Sequence, residues 1–189
     1  MNDLICLEGQ HVYLASISSN DVDIFMESMN DEDVRILART RRDVMNELNT
    51  KEMIERLQRE EEGFIVYEKE GNTKIGYALL MDKDLYNREA SLALVIGKKV
   101  NRGKGFGKEA IQLLMKHGFI GLNLESLFLE VFEYNSAAIK LYEDVGFKYV
   151  GKRRNSRIVG NEKYDTIIMD MISEEYFKIY KNNEVESRK

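Results

Sequence analysis

The 189-residue chain has no proline and one cysteine, Cys6. A single thiol excludes an internal disulfide framework and fits a reducing compartment. No apolar run approaches the roughly 20 residues of a membrane span, and the start MNDLICLEGQ lacks the basic stretch and long apolar core of a secretory signal. A soluble cytoplasmic protein with no membrane partner is expected. Positive charge is also short: the formal net charge of −5 argues against broad nucleic-acid binding but leaves a local basic site open. The two histidines, His11 and His117, read as structural or exposed. No metal-ligand spacing and no serine or cysteine triad is recognisable. The lack of proline carries no functional reading.

What is present suffices for one domain with a real core. His11 to Ile17 is a short β-branched and aromatic run, followed by capping residues and a helical stripe at Val22, Phe25, Met26 and Met29. A second helix is expected from Asn49, where Asn49-Thr50-Lys51-Glu52 has capping-box spacing. The intervening DEDVRILARTRRDVMNEL has no clear period. A hairpin turns at Glu70-Gly71-Asn72, and Glu89 to Gly97 is the next strand. A helix bearing Ala110, Ile111, Leu114, Met115 and Gly118 on one face then leads to the strand Ser126 to Val131. The stripe Ala138, Leu141, Tyr142, Val145 marks another helix, ended by Gly146. Two last strands lie around Phe147 to Arg154 and Tyr164 to Met171. The domain is expected to span 1–175, with 176–189 a frayed tail.

Between the strand ending at Gly97 and the helix at Ala110 lies NRGKGFGKEA, with glycines at 103, 105 and 107 and basic residues interleaved. Such a loop brings backbone N–H groups close to an anion. A Walker A loop fails in both registers, because the residue after Gly103-Lys104 is Gly105 and that after Gly107-Lys108 is Glu109, where serine or threonine is required. Gly105-x-Gly107-x-x-Ala110 satisfies a dinucleotide fingerprint on paper. Several residues separate Ile96 from Gly105, however, and the chain beyond Val145 is too short for a second mononucleotide half.

Arg102-x-x-Gly105-x-Gly107 resembles the acyl-CoA signature of the GNAT superfamily of N-acetyltransferases, between a strand and a helix as there. Asn135-Ser136-Ala137-Ala138 followed by Tyr142 and Gly146-Phe147 is similar to the superfamily's second block. The resemblance covers about Gln10 to Ser173 and is nearest to the branch of ribosomal-protein N-terminal and spermidine acetyltransferases. It implies an α/β (α+β) fold with a mixed, mostly antiparallel sheet splayed at the cofactor site and helices on both faces. It also implies direct acetyl transfer from acetyl-CoA, the cosubstrate, to a primary amine of a small molecule or protein N-terminus. A non-catalytic acyl-CoA-binding regulatory domain and a dinucleotide-binding oxidoreductase are the alternatives. The partners so implied are acetyl-CoA and an amine acceptor, without nucleic acid, and a homodimer is left open.

By the same resemblance, Val95, Ile96 and Gly97 would hydrogen-bond the pantetheine arm, and Arg102, Gly103, Lys104, Gly105, Phe106, Gly107 and Lys108 would cradle the pyrophosphate. Lys98 and Lys99 add to the local positive charge. Asn135 and Ala138 would lie near the acetyl end, with Tyr142 as general acid, a phenol suiting a leaving thiolate of neighbouring pKa. Relatives carry a glutamate on the strand before the loop, where this chain reads Ser91-Leu92-Ala93-Leu94. Glu89, just upstream, is the candidate base through water. Arg39 and Arg41, with Arg35 and Arg42, would face the acceptor and favour an amine that also carries an anion.

Overall fold

A computed structural model describes residues 4–38 and 45–186, the side chains of 181–186 excepted. The elements run β1 (Ile5–Glu8), β2 (Val12–Ser16), α1 (Val22–Asn30), α2 (Glu32–Leu37), α3 (Glu47–Glu60), β3 (Glu62–Glu68), β4 (Thr73–Asp84) and β5 (Glu89–Ile96). Then follow α4 (Phe106–Lys116), β6 (Ser126–Phe132), α5 (Ser136–Asp144), β7 (Lys148–Val159), β8 (Glu162–Ile172) and α6 (Ser173–Glu186). The strands form one eight-stranded sheet in the order β1-β2-β3-β4-β5-β6-β8-β7, antiparallel throughout except for β5 and β6.

Alternation along the strands builds two cores. On β3, Phe64 and Val66 turn to one face, where α4 supplies Ala110, Ile111, Leu114 and Met115; Ile65 and Tyr67 turn to the other, where α1 supplies Phe25 and α3 supplies Ile54 and Leu57. Helices therefore cover both faces, as expected for the mixed sheet.

Four local expectations change. The α3 cap is Asn46, whose side chain accepts from the Asn49 N–H, so the helix begins earlier than the capping-box spacing at Asn49 suggests. The DEDVRILA segment, without a readable period, forms α2; Asp31 caps it through the Val34 N–H at 2.9 Å. β1 is a four-residue edge strand with no apolar alternation to announce it. Residues 176–186 are helical where a frayed tail was expected, because Tyr176 is buried and stacks on Phe119 at 4.8 Å, and the Tyr180 hydroxyl donates to the Val145 carbonyl at 3.0 Å.

The feature that positions the site is where β5 and β6 part. They pair in parallel only at Glu89–Ser126, Ala90–Leu127 and Ser91–Phe128. Beyond that point β5 stays with β4 and β6 with β8, and a wedge opens between them.

Candidate active site

One wall of the wedge is a bare strand edge. In an antiparallel pair, residues alternate between exchanging hydrogen bonds with the partner and pointing their backbone groups away. The Gly97 N–H donates to Ile75 O at 2.9 Å, and the register then turns Val95, Ala93 and Ser91 toward β4. The Val95 carbonyl comes so close to Gly76 that a Cβ there would lie 1.9 Å from it. The backbone groups facing the wedge are those of Leu92, Leu94 and Ile96. This corrects the expected set: Ile96 faces the gap, whereas Val95 and Gly97 face β4. Gly97 is instead needed for packing on α1, since a Cβ there would sit 2.8 Å from Ser28 Oγ.

At the wide end lies the glycine loop. Gly103 (φ +74°) and Gly105 (φ +86°) adopt the left-handed region that other residues avoid, and a Cβ on either would meet nothing within 4 Å. Gly105 is the N-cap of α4. Among the described residues, no acceptor takes the N–H groups of Gly103 to Lys108, which leaves a run of donors at the positive end of an eleven-residue helix. Gly107 has a different reason: a Cβ there would touch Leu94 and Leu141 at 3.4 and 3.5 Å, so it lets α4 pack between β5 and α5. Lys99, Lys104 and Lys108 have no carboxylate partner among the described residues, while Lys98 pairs with Glu27 at 2.8 Å. The buried Phe106 ring has the Lys104 ammonium 5.8 Å above it.

Arg102 turns its side chain inward. Its Nε donates to Ile96 O at 3.1 Å and its Nη2 to Gly97 O at 2.5 Å, and it faces Asp31 and Asp33 at 3.7 and 3.5 Å. The guanidinium thus fixes the end of β5 and ties it to α2, and only the backbone of Arg102 remains toward the loop.

The opposite end of α2 is held from the other side of the wedge. Its last carbonyls accept from Arg157 Nη2 (Arg35 O, 2.6 Å), the Tyr134 hydroxyl (Ile36 O, 2.6 Å) and Asn135 Nδ2 (Leu37 O, 3.1 Å). Asn135 also caps α5 through the Ala138 N–H at 3.2 Å. A six-residue helix has little stability alone; these contacts stretch it like a beam from β5 to the β6–α5 turn. Arg39 and Arg41 fall outside the described residues.

Tyr142 lies on α5, buried, with its ring 5.9 Å from Phe147. Burial pushes its pKa up to about 12, so the phenol keeps its proton through the neutral range. Glu89 lies within the paired stretch, two residues behind the parting point. A residue missed in the sequence is better placed: Glu130 stands two residues beyond Phe128 on the open side, roughly 13 Å along the strands from Glu89. Leu127, Leu129 and Val131 turn to the α4 core, so Glu130 turns to the opposite face with Phe128 and Phe132. Its side chain is 20% exposed and lies 3.6 Å from Arg153 Nη1. An acid in an alternating strand was the available signal.

A wedge-split sheet with a donor-rich loop at its mouth suits a ligand that carries an anion and an extended amide-bearing arm. The model of the family described as acetyltransferase (GNAT) domain matches residues 11–148, and the chain belongs to that family. It is 29% identical over 169 residues to the SPbeta prophage-derived uncharacterized N-acetyltransferase YokL of Bacillus subtilis, covering 89% of this chain and 93% of that one. It is 27% identical over 134 residues to spermidine N(1)-acetyltransferase of Vibrio cholerae, covering 71% and 75%. The solved structure of the Vibrio cholerae spermidine N-acetyltransferase in complex with CoA and spermine matches with a TM-score of 0.82 at 20% identity, over 89% of this chain and 99% of that one. The protein is an acetyl-CoA-dependent N-acetyltransferase that transfers acetyl to an amine. No helix among the described residues is long and apolar enough to cross a membrane.

Proposed function

We propose that acetyl transfer takes place where β5 and β6 part, with Tyr142 as general acid and Glu130 as proton acceptor. The observation that carries the reading is the parting itself. One residue beyond the Ser91–Phe128 pair, a strand edge turned away from β4 runs from Glu130's level out to the glycine loop, where six N–H groups have no acceptor among the described residues.

Acetyl-CoA supplies an activated acyl carbon on a thiol leaving group. The loop N–H groups with Lys104 and Lys108 hold the pyrophosphate, and Leu92 and Leu94, with the Ile96 N–H, offer backbone groups to the amide-bearing arm as a neighbouring strand would. The amine nitrogen bonds to the acyl carbon, and the proton it loses passes to Glu130, directly or through water. The C–S bond breaks, and the sulfur takes the Tyr142 proton. Return of the proton from Glu130 to Tyr142 through solvent restores both groups. Asn135, by joining the α5 cap to α2, keeps Tyr142's helix and the acceptor wall in fixed relation.

The acceptor proposed is a primary amine that also carries negative charge. One relative is a spermidine acetyltransferase by name, but here Arg39, Arg41 and Arg42 follow α2 directly and suit an anion-bearing partner better than a polycation. Thiol release from acetyl-CoA across polyamines, amino sugars, aminoglycosides and N-terminal peptides tests this. Arg39→Glu or Arg41→Glu should narrow or reverse a preference for anionic amines. Efficient acetylation of spermidine, indifferent to those substitutions, would remove the acceptor assignment.

A further inference from the structure

We infer that Arg157 is an anion-binding subsite of the acceptor cleft, holding a carboxylate or phosphate group on the amine substrate. This deepens the acetyl-transfer reading above and rests on it. Arg157 is on β7, more than a hundred residues from α2 in sequence, yet its Nη2 reaches the carbonyls of Arg35 at 2.6 Å and Ile36 at 3.5 Å. Its guanidinium carbon stands 4.5 Å from the centre of the Phe132 ring. Phe132 shares a strand face with Glu130, the proposed proton acceptor, so the guanidinium and the reaction centre border the same side of the wedge.

What sets Arg157 apart is that it is half-buried without a counter-charge among the described residues. Of the other cations on this hairpin, Lys152 pairs with Asp165 at 2.6 Å, Arg153 with Glu130 at 3.6 Å and Lys148 with Glu175, while Arg154 and Lys163 are exposed to solvent. Arg157 has no carboxylate within ion-pair distance among the described residues. Its partners among the described residues are two carbonyls and the Phe132 ring, all neutral, and its Nε is shut away from solvent without an acceptor. A half-buried guanidinium left in this state is costly, and such costs persist mainly where function uses them. The two carbonyls orient the group and Phe132 supports it from below, while Nη1 has no hydrogen-bond partner among the described residues. An anionic oxygen on the acceptor would supply the missing charge through the planar fork.

The alternative is that Arg157 serves only to clamp α2. Matched amines separate the two: δ-aminovalerate and aminopropyl phosphate, each bearing an anion, against cadaverine, which bears a second cation. Turnover is read as thiol release at saturating acetyl-CoA, and calorimetric titration of each amine into the CoA-loaded protein runs in parallel. The wild type should favour one of the anionic amines by about tenfold in kcat/KM. Arg157→Gln should abolish that advantage through KM, with kcat within about twofold and acetyl-CoA affinity unchanged. Arg157→Lys, which keeps the charge and loses the fork, should lie between and guards against a variant that does not fold. A cadaverine preference in the wild type, or equal losses for all amines in Arg157→Gln, overturns the subsite in favour of the clamp. If none of the amines is acetylated, Arg157-dependent binding of an anionic amine upholds the subsite and removes these amines as acceptors; binding without anion preference sinks the subsite.

Discussion

Asn135 Nδ2 donates to the Leu37 carbonyl at 3.1 Å while its Oδ1 accepts from the Ala138 N–H at 3.2 Å. One carboxamide therefore ends α2 and starts α5. Replacing it by alanine removes a cap and orphans a helix-end carbonyl. The cap alone costs about 1 kcal/mol, and the released carbonyl adds about 1 kcal/mol more. Asn135→Ala should lower stability by about 2 kcal/mol in urea unfolding and raise the acceptor KM, since α2 loses an anchor. Unchanged stability together with unchanged KM would show that the two helices do not depend on this residue.

Asn135 also shows how far the sequence could be read. The block Asn135 to Phe147 was legible because it is local: a cap, a stripe at helical spacing and a terminal glycine all lie within one helix. The glycine loop was legible for the same reason. The backbone partners of the wedge were not, because which of Leu94, Val95 and Ile96 faces the gap depends on the register between β4 and β5, and both strands are apolar on both faces. Glu130, the proposed proton acceptor, has nothing local to distinguish it from any acid in a strand; the proposal for it comes from pairing that stops at Phe128. Arg102 was read by its backbone, and its inward guanidinium depends on Asp31 and Asp33, far upstream.

Gly105→Val tests the loop. At φ +86°, a β-branched residue is strained even with open space around its Cβ, and the methyl groups would stand where a phosphate must approach. Acetyl-CoA affinity should fall by about a hundredfold or more by calorimetry, with the domain still folded by circular dichroism. Wild-type affinity in the folded variant would remove the loop from the binding site.

Tyr142→Phe deletes a proton donor and little packing. It should reduce kcat by about a hundredfold while leaving acetyl-CoA affinity nearly intact. Because burial raises the phenol to about pH 12, any alkaline loss of wild-type kcat between pH 8 and pH 10, on the order of pH units, should persist in the variant and belong to another group. A wild-type kcat in Tyr142→Phe would reject the acid role.

Two buried tyrosines set a stability trend at high pH. Burial raises Tyr77 strongly and Tyr142 to about 12, from an ordinary value of 10.0. Above the ordinary value the unfolded chain releases these protons and the folded one keeps them, so the unfolded state binds fewer protons and stability falls as pH rises. The stability is fully present below about pH 10, and each tyrosine removes up to about 1.4 kcal/mol per pH unit above it. Tyr77 stacks on Phe25 at 4.4 Å and its hydroxyl is buried without a partner. Tyr77→Phe should therefore stabilise the protein by about 1 kcal/mol at neutral pH and flatten the alkaline decline. A variant less stable than wild type at pH 7 would mean that the hydroxyl is satisfied.

Glu130→Gln addresses the proton acceptor, and its signature lies in pH dependence rather than in the size of the loss. If Glu130 takes the proton from the amine, the variant must wait for amine deprotonated by solvent, and its kcat/KM should climb close to tenfold per pH unit toward the pKa of the acceptor amine. The wild type should climb less steeply over the same range. Acetyl-CoA affinity should be unchanged, because the loop N–H groups proposed to bind its pyrophosphate lie at the far end of the wedge. The same variant also frees Arg153, its partner at 3.6 Å, so Arg153→Gln is the matching control: it breaks the contact but keeps the carboxylate. A steep profile in Glu130→Gln and a wild-type profile in Arg153→Gln assign the proton to Glu130. Parallel profiles in both variants and the wild type would return the step to water or to a residue elsewhere in the cleft.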